Sequence, residues 1–167
     1  MEQNVKEKNF VSAVIYIRSG EEDTDKNIET LLKVMKEHFE HYEIIFVNDA
    51  FSDGCVDKIK KIFAKEENNG IAVRIINMSY YYGREIAMSA GVDMAIGDYV
   101  FEFDRISSIG DDIIMKAYYK CIQGTDVVSV TPKKVAGFIT KLYYKIYNSS
   151  SNIKENFLKR ELFCVVS

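Results

Sequence analysis

Short apolar runs alternate along the chain with segments whose apolar residues recur every three to four positions. Residues 11–17, VSAVIYI, are β-branched and almost wholly apolar, as a strand covered on both faces must be. They form the first predicted strand. After GEEDTD, where Asp23 or Thr24 is placed to cap, the positions Ile28, Leu31, Leu32, Met35 and Phe39 keep a helical period to an end near His41. EIIFV, residues 43–47, is the second strand. Ser52 then caps a helix with Val56, Ile59 and Phe63 on one face, a lysine-rich opposite face and EENNG closing it. Residues 73–78, VRIINM, read as strand three. Residues 83–96 read as a helix whose small residues Ala87, Ala90 and Gly91 allow close packing on a sheet. DYVFEFD, residues 98–104, is strand four. A helix over 112–122, a strand over 126–130 and a basic amphipathic helix over 135–148 complete the pattern, with no internal repeat. Strand, crossover helix and strand in alternation predict an α/β domain, with a mostly parallel central sheet and helices on both faces.

Composition narrows the class. The chain has 167 residues, 47% hydrophobic and 28% charged, which suits one domain with a soluble core rather than a disordered chain. Its 22 basic and 25 acidic side chains leave a net charge of −3. No basic block stands out, so nucleic acid is not an expected partner. The start MEQNVKEKNF has no signal-peptide core, and no apolar run is long enough to span a bilayer. The expected location is cytoplasmic, with a peripheral place at the inner face of the membrane as the further option. Cys55, Cys121 and Cys164 are odd in number and far apart, so they read as reduced packing residues rather than a disulfide framework or zinc site.

In a doubly wound sheet, ligands bind beyond the carboxyl ends of the strands. The residues there are 18–23, 48–53, 79–84 and 104–112, which supply carboxylates, arginines and three consecutive tyrosines. That mixture suits a nucleotide phosphate with a base to stack. The glycines never form G-x-G, and none precedes Lys-Ser or Lys-Thr as a phosphate loop requires, so nicotinamide dehydrogenases and P-loop NTPases drop out. A phosphoacceptor receiver is disfavoured because its third strand would end in aspartate, whereas this one ends NMSYYY.

VSAVIYI, EIIFVNDAFSDG, VRIINMSYYYGREIAMSAG and GDYVFEFD, in this order and spacing, resemble the nucleotide-half motifs of family 2 glycosyltransferases with the A-type (GT-A) fold. The resemblance covers about residues 11–122. It continues more weakly through KKVAGFITKLYYKIYN, which is similar to a segment of the subgroup that glycosylates polyprenyl phosphates. It implies a Rossmann-like nucleotide-sugar-binding domain over 11–130, after an N-terminal tail at 1–10 and before a partial acceptor-side segment at 131–167. Asp49 matches the second aspartate of the family's VDDGS or VNDGS and would accept the imide N–H of a uracil or similar base; its plainer role is a helix-start carboxylate. Arg84 stands at the family's basic residue after asparagine-phenylalanine-glycine and would face the diphosphate; its plainer role is a solvated helix start. Asp104 matches the first aspartate of Asp-x-Asp, where a carboxylate holds a divalent cation.

The departures from the pattern bear on that cation. Ile106 stands where the second metal aspartate belongs, Ser108 at a glutamine position and Ile109 at an aspartate position. Mg²⁺ and Mn²⁺ draw their binding from oxygen ligands, so either ion would be weakly bound or dispensed with. A diphosphate charge ~4 Å from Asp104 would be repelled by about 4 kcal/mol at an effective dielectric near 20. Arg105, at the altered motif, and Arg18, at the neighbouring strand end, are placed to supply guanidinium groups in place of the ion. Ala50-Phe51 also replaces the family's Gly-Ser, and strand one ends IRSGEE rather than PVYNEE.

The implied reaction is transfer of a sugar from a nucleotide diphosphate to an acceptor, either a polyprenyl phosphate or a surface glycan. A hydroxyl acceptor needs a base, whereas a polyprenyl phosphate is already ionised and needs none; no catalytic base is assigned. The helix over 135–148 carries Phe138, Ile139, Leu142, Tyr143 and Ile146 on one stripe, flanked by Lys134, Lys141 and Lys145. It reads as ordinary core before it reads as a membrane-surface helix beside a lipid phosphate. Tyr80, Tyr81 and Tyr82 suit either stacking on a base or sugar, or buried packing. His38 and His41 are better explained as surface histidines near a helix end than as metal ligands. The alternative to an active transferase is a degenerate relative that keeps the fold for protein association or regulation.

Overall fold

The computed structural model describes residues 5–17, 24–52, 54–64, 71–104, 110–130 and 163–166. In chain order the elements are β1 (Val11–Ile17), α1 (Thr24–His38), β2 (Tyr42–Asn48), α2 (Cys55–Ala64), β3 (Ala72–Asn77), α3 (Arg84–Asp93), β4 (Tyr99–Phe103), α4 (Asp111–Ile122), β5 (Val127–Val130) and β6 (Phe163–Val166). The strands make one six-stranded sheet in the order β3-β2-β1-β4-β6-β5. β1 pairs in parallel with β2 and β4, β2 in parallel with β3, and β6 antiparallel with both β4 and β5. The expected α/β fold with a mostly parallel sheet is therefore the observed one.

The all-apolar character of the first run reflects its central place: every residue of β1 is buried. Its two faces feed two cores. Val11, Ala13, Ile15 and Ile17 pack with apolar residues of α1, α2 and α4, whereas Val14 and Tyr16 pack with Ala87 and Met88 of α3. Helices thus cover both faces. Gly91 of α3 lies so close that a Cβ there would stand 2.4 Å from Val14 Cγ1 and 2.7 Å from Val47 Cγ2. The small residues of this helix bring it down onto β1 and β2 as expected, although Ala90 is only partly buried.

Several local boundaries differ from expectation. The first helix ends at His38 rather than near His41, because Phe39 leaves it to bridge Glu7. Ser52 does not cap the second helix: α2 starts at Cys55, and Gly54 with φ +81° precedes it. The third helix spans Arg84–Asp93, shorter than residues 83–96. β6 was not expected, and it supplies the antiparallel strand between β4 and β5. Cys55 and Cys121 are buried free thiols, and burial raises the Cys121 pKa, consistent with packing roles. The basic helix expected over 135–148, with the rest of 131–162, lies outside the described residues.

At the amino end of the sheet sits a buried polar network that the strand pattern did not reveal. Glu43 Oε1 accepts from the Ser12 hydroxyl at 2.7 Å and the Ile96 N–H at 2.9 Å, and Gly97 N–H donates to Ser12 Oγ at 2.9 Å. The Arg74 guanidinium stands 3.4 Å from Glu43 Oε2 and donates to the Met94 carbonyl at 2.9 Å. These donors compensate a carboxylate removed from water. They also tie the turn before β4 to the base of the sheet, fixing the height at which β4 delivers Asp104.

Candidate functional site

The sheet order sets the place. The chain runs outward from β1 to β2 and β3, then returns to the other side of β1 as β4. In sheets of this kind such a switch point, here at the carboxyl ends of β1, β2 and β4, is where ligands bind. Ile17 is level with Asn48 and Ile15 with Phe103, so Asp49 and Asp104 follow β2 and β4 on the two sides of β1.

Asp49 is fully buried. Its Oδ2 accepts from the Tyr16 hydroxyl at 3.1 Å and the Gly83 N–H at 2.9 Å, and its Oδ1 accepts from the Tyr82 N–H at 2.8 Å. A carboxylate has about four lone-pair sites, and three are engaged within the protein. In this conformation Asp49 pins the turn before α3 and presents no surface to a base.

Asn48 organises the turn after β2. Its Nδ2 donates to the Phe51 carbonyl and to Asn77 Oδ1, each at 3.1 Å, while its Oδ1 accepts the Phe51 N–H at 3.0 Å. Ala50, where the family pattern has glycine, adopts φ +62°. That left-handed conformation costs an L-residue about 1–2 kcal/mol.

Arg84 is the first residue of α3, directly after Gly83 at φ +88°. Its guanidinium Nη1 stands 3.3 Å from Asp104 Oδ1, and its Nε and Nη2 hydrogen-bond Glu85 Oε1. The Glu85 hydrogen bond is the first cause holding the Arg84 pKa above its ordinary value; burial works against it and the Asp104 charge adds to it. Asp104 is 6% exposed and Arg84 41%, so the pair joins a buried carboxylate to a guanidinium that reaches solvent. Tyr82, Gly83 and Arg84 thus connect the two predicted carboxylates, binding Asp49 through two backbone N–H groups and Asp104 through a side chain. Arg18, Arg105 and Ile106 lie outside the described residues.

An aromatic rim borders this turn. Tyr80, Tyr81 and Tyr82 are exposed rather than buried. Phe51 makes edge contacts with Tyr16 and Tyr81 at centroid distances of 6.4 and 5.9 Å. Sequence reasoning found Asp49, Asp104 and Arg84 but assigned no role to Tyr16, Asn48, Phe51 or Glu85. Asn48 lay within the quoted VNDAFSDG motif; the tyrosine hydroxyl three levels of structure away had no local signal.

The Asp104 carboxylate has the Arg84 guanidinium beside it, and the positions that follow it in the altered motif, 105–109, lie outside the described residues. Among the described residues, the trio with ligand atoms close enough to share an ion is Glu37, His38 and Asp111, at the end of α1 and the start of α4. His38 Nε2 is 4.0 Å from Asp111 Oδ2 there, while Glu37 and Asp111 are exposed. His41 is not part of that group. Among the described residues, no helix is long and apolar enough to cross a membrane.

Comparison with known proteins identifies the lineage of this arrangement. The model of "Glycosyl transferase family 2" matches residues 12–161. An uncharacterized glycosyltransferase of Synechocystis sp. is 31% identical over 150 residues, covering 86% of this chain and 46% of that protein. The undecaprenyl-phosphate 4-deoxy-4-formamido-L-arabinose transferase of Proteus mirabilis is 32% identical over 120 residues, covering 72% of this chain and 36% of the relative. The chain therefore spans less than half the length of these relatives. Among solved structures, a mannosyltransferase from Pyrobaculum calidifontis in complex with GDP-Man and Mn²⁺ superposes with a TM-score of 0.65 at 13% identity, over 93% of this chain and 44% of that one. That likeness concerns the fold. The family match, the order of the motifs and the GT-A-like sheet agree, and the chain belongs to glycosyl transferase family 2.

Proposed function

We propose that the crevice above β1, β2 and β4 binds a nucleotide diphosphate sugar, and that the protein transfers the sugar to a polyprenyl phosphate. One observation carries the reading: Asp49 and Asp104, at strand ends on the two sides of β1, are joined through Tyr82, Gly83 and Arg84 beneath an exposed aromatic rim. A ring stacked on Tyr81 or Tyr82 would keep a base or sugar at that rim. Asp49 would read the base once the turn opens, and Arg84 would face the diphosphate. As the bond from sugar to diphosphate breaks, charge builds on the leaving diphosphate, where a fixed guanidinium stabilises it. Chemistry and the relatives both support this acceptor class. A phosphate acceptor attacks without a base, and the undecaprenyl-phosphate 4-deoxy-4-formamido-L-arabinose transferase is 32% identical to this chain over 120 residues.

Calorimetric titration of the chain with UDP-sugars and GDP-sugars tests the donor half of this reading. Binding by one nucleotide class, competed by the corresponding diphosphate, is expected. No binding by any of them would contradict it and favour the degenerate relative that the replacement of the second metal aspartate by Ile106 suggests.

A further inference from the structure

We infer that Glu37, His38 and Asp111 hold one Zn²⁺ ion, which clamps the end of α1 to the start of α4. None of the three belongs to the proposed nucleotide site, so the two readings fail separately. The feature that points to a ligand is the His38 ring, expected from the sequence as that of a surface histidine. Its side chain is only 21% exposed, and its Nε2 is buried without a hydrogen-bond partner among the described residues. An orphaned buried atom of this kind calls for a water or an ion as its partner. Asp111 Oδ2 stands 4.0 Å from it, beyond hydrogen-bond reach but within the span of two zinc bonds of about 2.0–2.2 Å each.

Packing sets the spacing of the trio. Phe39, next to His38, is fully buried and meets the Tyr118 ring of α4 edge-on at a centroid distance of 5.0 Å. The His38 carbonyl accepts the Glu7 N–H at 2.8 Å, which fixes the backbone behind the ring. Asp111 divides its oxygens: Oδ1 accepts the Asp112 N–H at 2.8 Å, and Oδ2 is the atom near His38. With Glu37, the ligand atoms all lie within 4.8 Å of one another. Tetrahedral zinc bonds would bring them to about 3.4 Å, a closure that the exposed ends of Glu37 and Asp111 can supply. Glu37 also stands 3.7 Å from Lys33, but an ion pair between two exposed side chains is weak enough to yield to a metal. One imidazole with two carboxylates suits Zn²⁺, leaving a fourth position to water, whereas Mg²⁺ and Ca²⁺ take oxygen ligands. The carboxyl end of α1, where His38 sits, favours a cation.

Calorimetric titration of Zn²⁺ into the chain, in a buffer that does not chelate it, tests this. Saturable binding of one equivalent is expected. His38→Gln and Asp111→Asn should each weaken it by about tenfold or more, whereas His41→Gln, outside the trio, should change it by less than about threefold. Circular dichroism verifies the fold of each variant. In the parent chain, NMR of the histidine ring nitrogens gives a readout that needs no substitution: the His38 ring should shift with Zn²⁺ and the His41 ring should not. No saturable binding, binding that survives both His38→Gln and Asp111→Asn, or a His38 ring unmoved at saturation would overturn the site.

Discussion

A carboxylate removed from water is stable only when donors replace its hydration, and Asp49 has three. Two are backbone N–H groups of one turn, so the residue acts on the shape of the site as much as on any ligand. Asp49→Asn presents an amide NH₂ to a donor and leaves it unpaired, costing about 1–3 kcal/mol. The expected signature is local: faster hydrogen exchange at Tyr82 and Gly83, together with a lower urea midpoint. Exchange at these amides unchanged from the parent chain would contradict it. Tyr118 offers a separate test far along the sequence. Burial is the first cause pushing its phenol up to about 12; the Asn9 hydrogen bond opposes this and the Glu7 charge adds to it. An unfolded tyrosine ionises near pH ~10, so the folded state holds the proton where the unfolded state has released it. The contribution is complete below about pH 10 and is lost as pH rises through about 12. Between about pH 9 and about pH 11, unfolding of the parent chain should lose roughly 1 kcal/mol more than that of Tyr118→Phe. Equal losses would contradict the shift. Asp49, Arg84 and Asp104 were legible at this scale because they stand at matching positions of the family motifs that the sequence resembles; the Tyr16 hydroxyl was not, because it sits inside an apolar run and meets Asp49 only through folding.

The elements legible in the sequence are those whose burial is nearly complete on both faces or periodic on one. VSAVIYI is a strand because β1 is central, and the α1 stripe is a helix because one side meets the sheet. β6 gave no such signal: Phe163–Val166 is four residues long, and its pairing between β4 and β5 is set by tertiary structure. Glu43 was legible only as the start of a strand, since its donors Ser12 and Ile96 come from elsewhere in the chain. The fit of α3 was visible in its small residues, and Gly91 measures how close that fit is. A methyl group there would press on Val14 and Val47. Gly91→Ala should cost about 1–3 kcal/mol through overpacking, partly offset by about 1 kcal/mol of helix propensity. A lower thermal midpoint is the expected result, and an unchanged or raised midpoint would contradict the packing account. Because Arg84 rides on the same helix, displacement of α3 should also weaken its pairing with Asp104.

For the whole molecule, the order of strands decides where the candidate site lies. Reversal of direction at β1 opens one end of the sheet, while the opposite end is closed by the Ser12, Glu43 and Gly97 network. Family membership was legible because the motifs carry order and spacing as well as residue type. Donor base, sugar and acceptor were not, because they depend on how loop side chains converge, and the chain spans less than half the length of the relatives compared with it. The most direct test of the crevice is a backbone-amide NMR titration with the nucleotide diphosphates. The largest shifts should fall on Asp49 to Phe51, Tyr82 to Glu85 and Asp104. Shifts centred instead on Ser12, Glu43 and Gly97, or none at saturating nucleotide, would contradict the account.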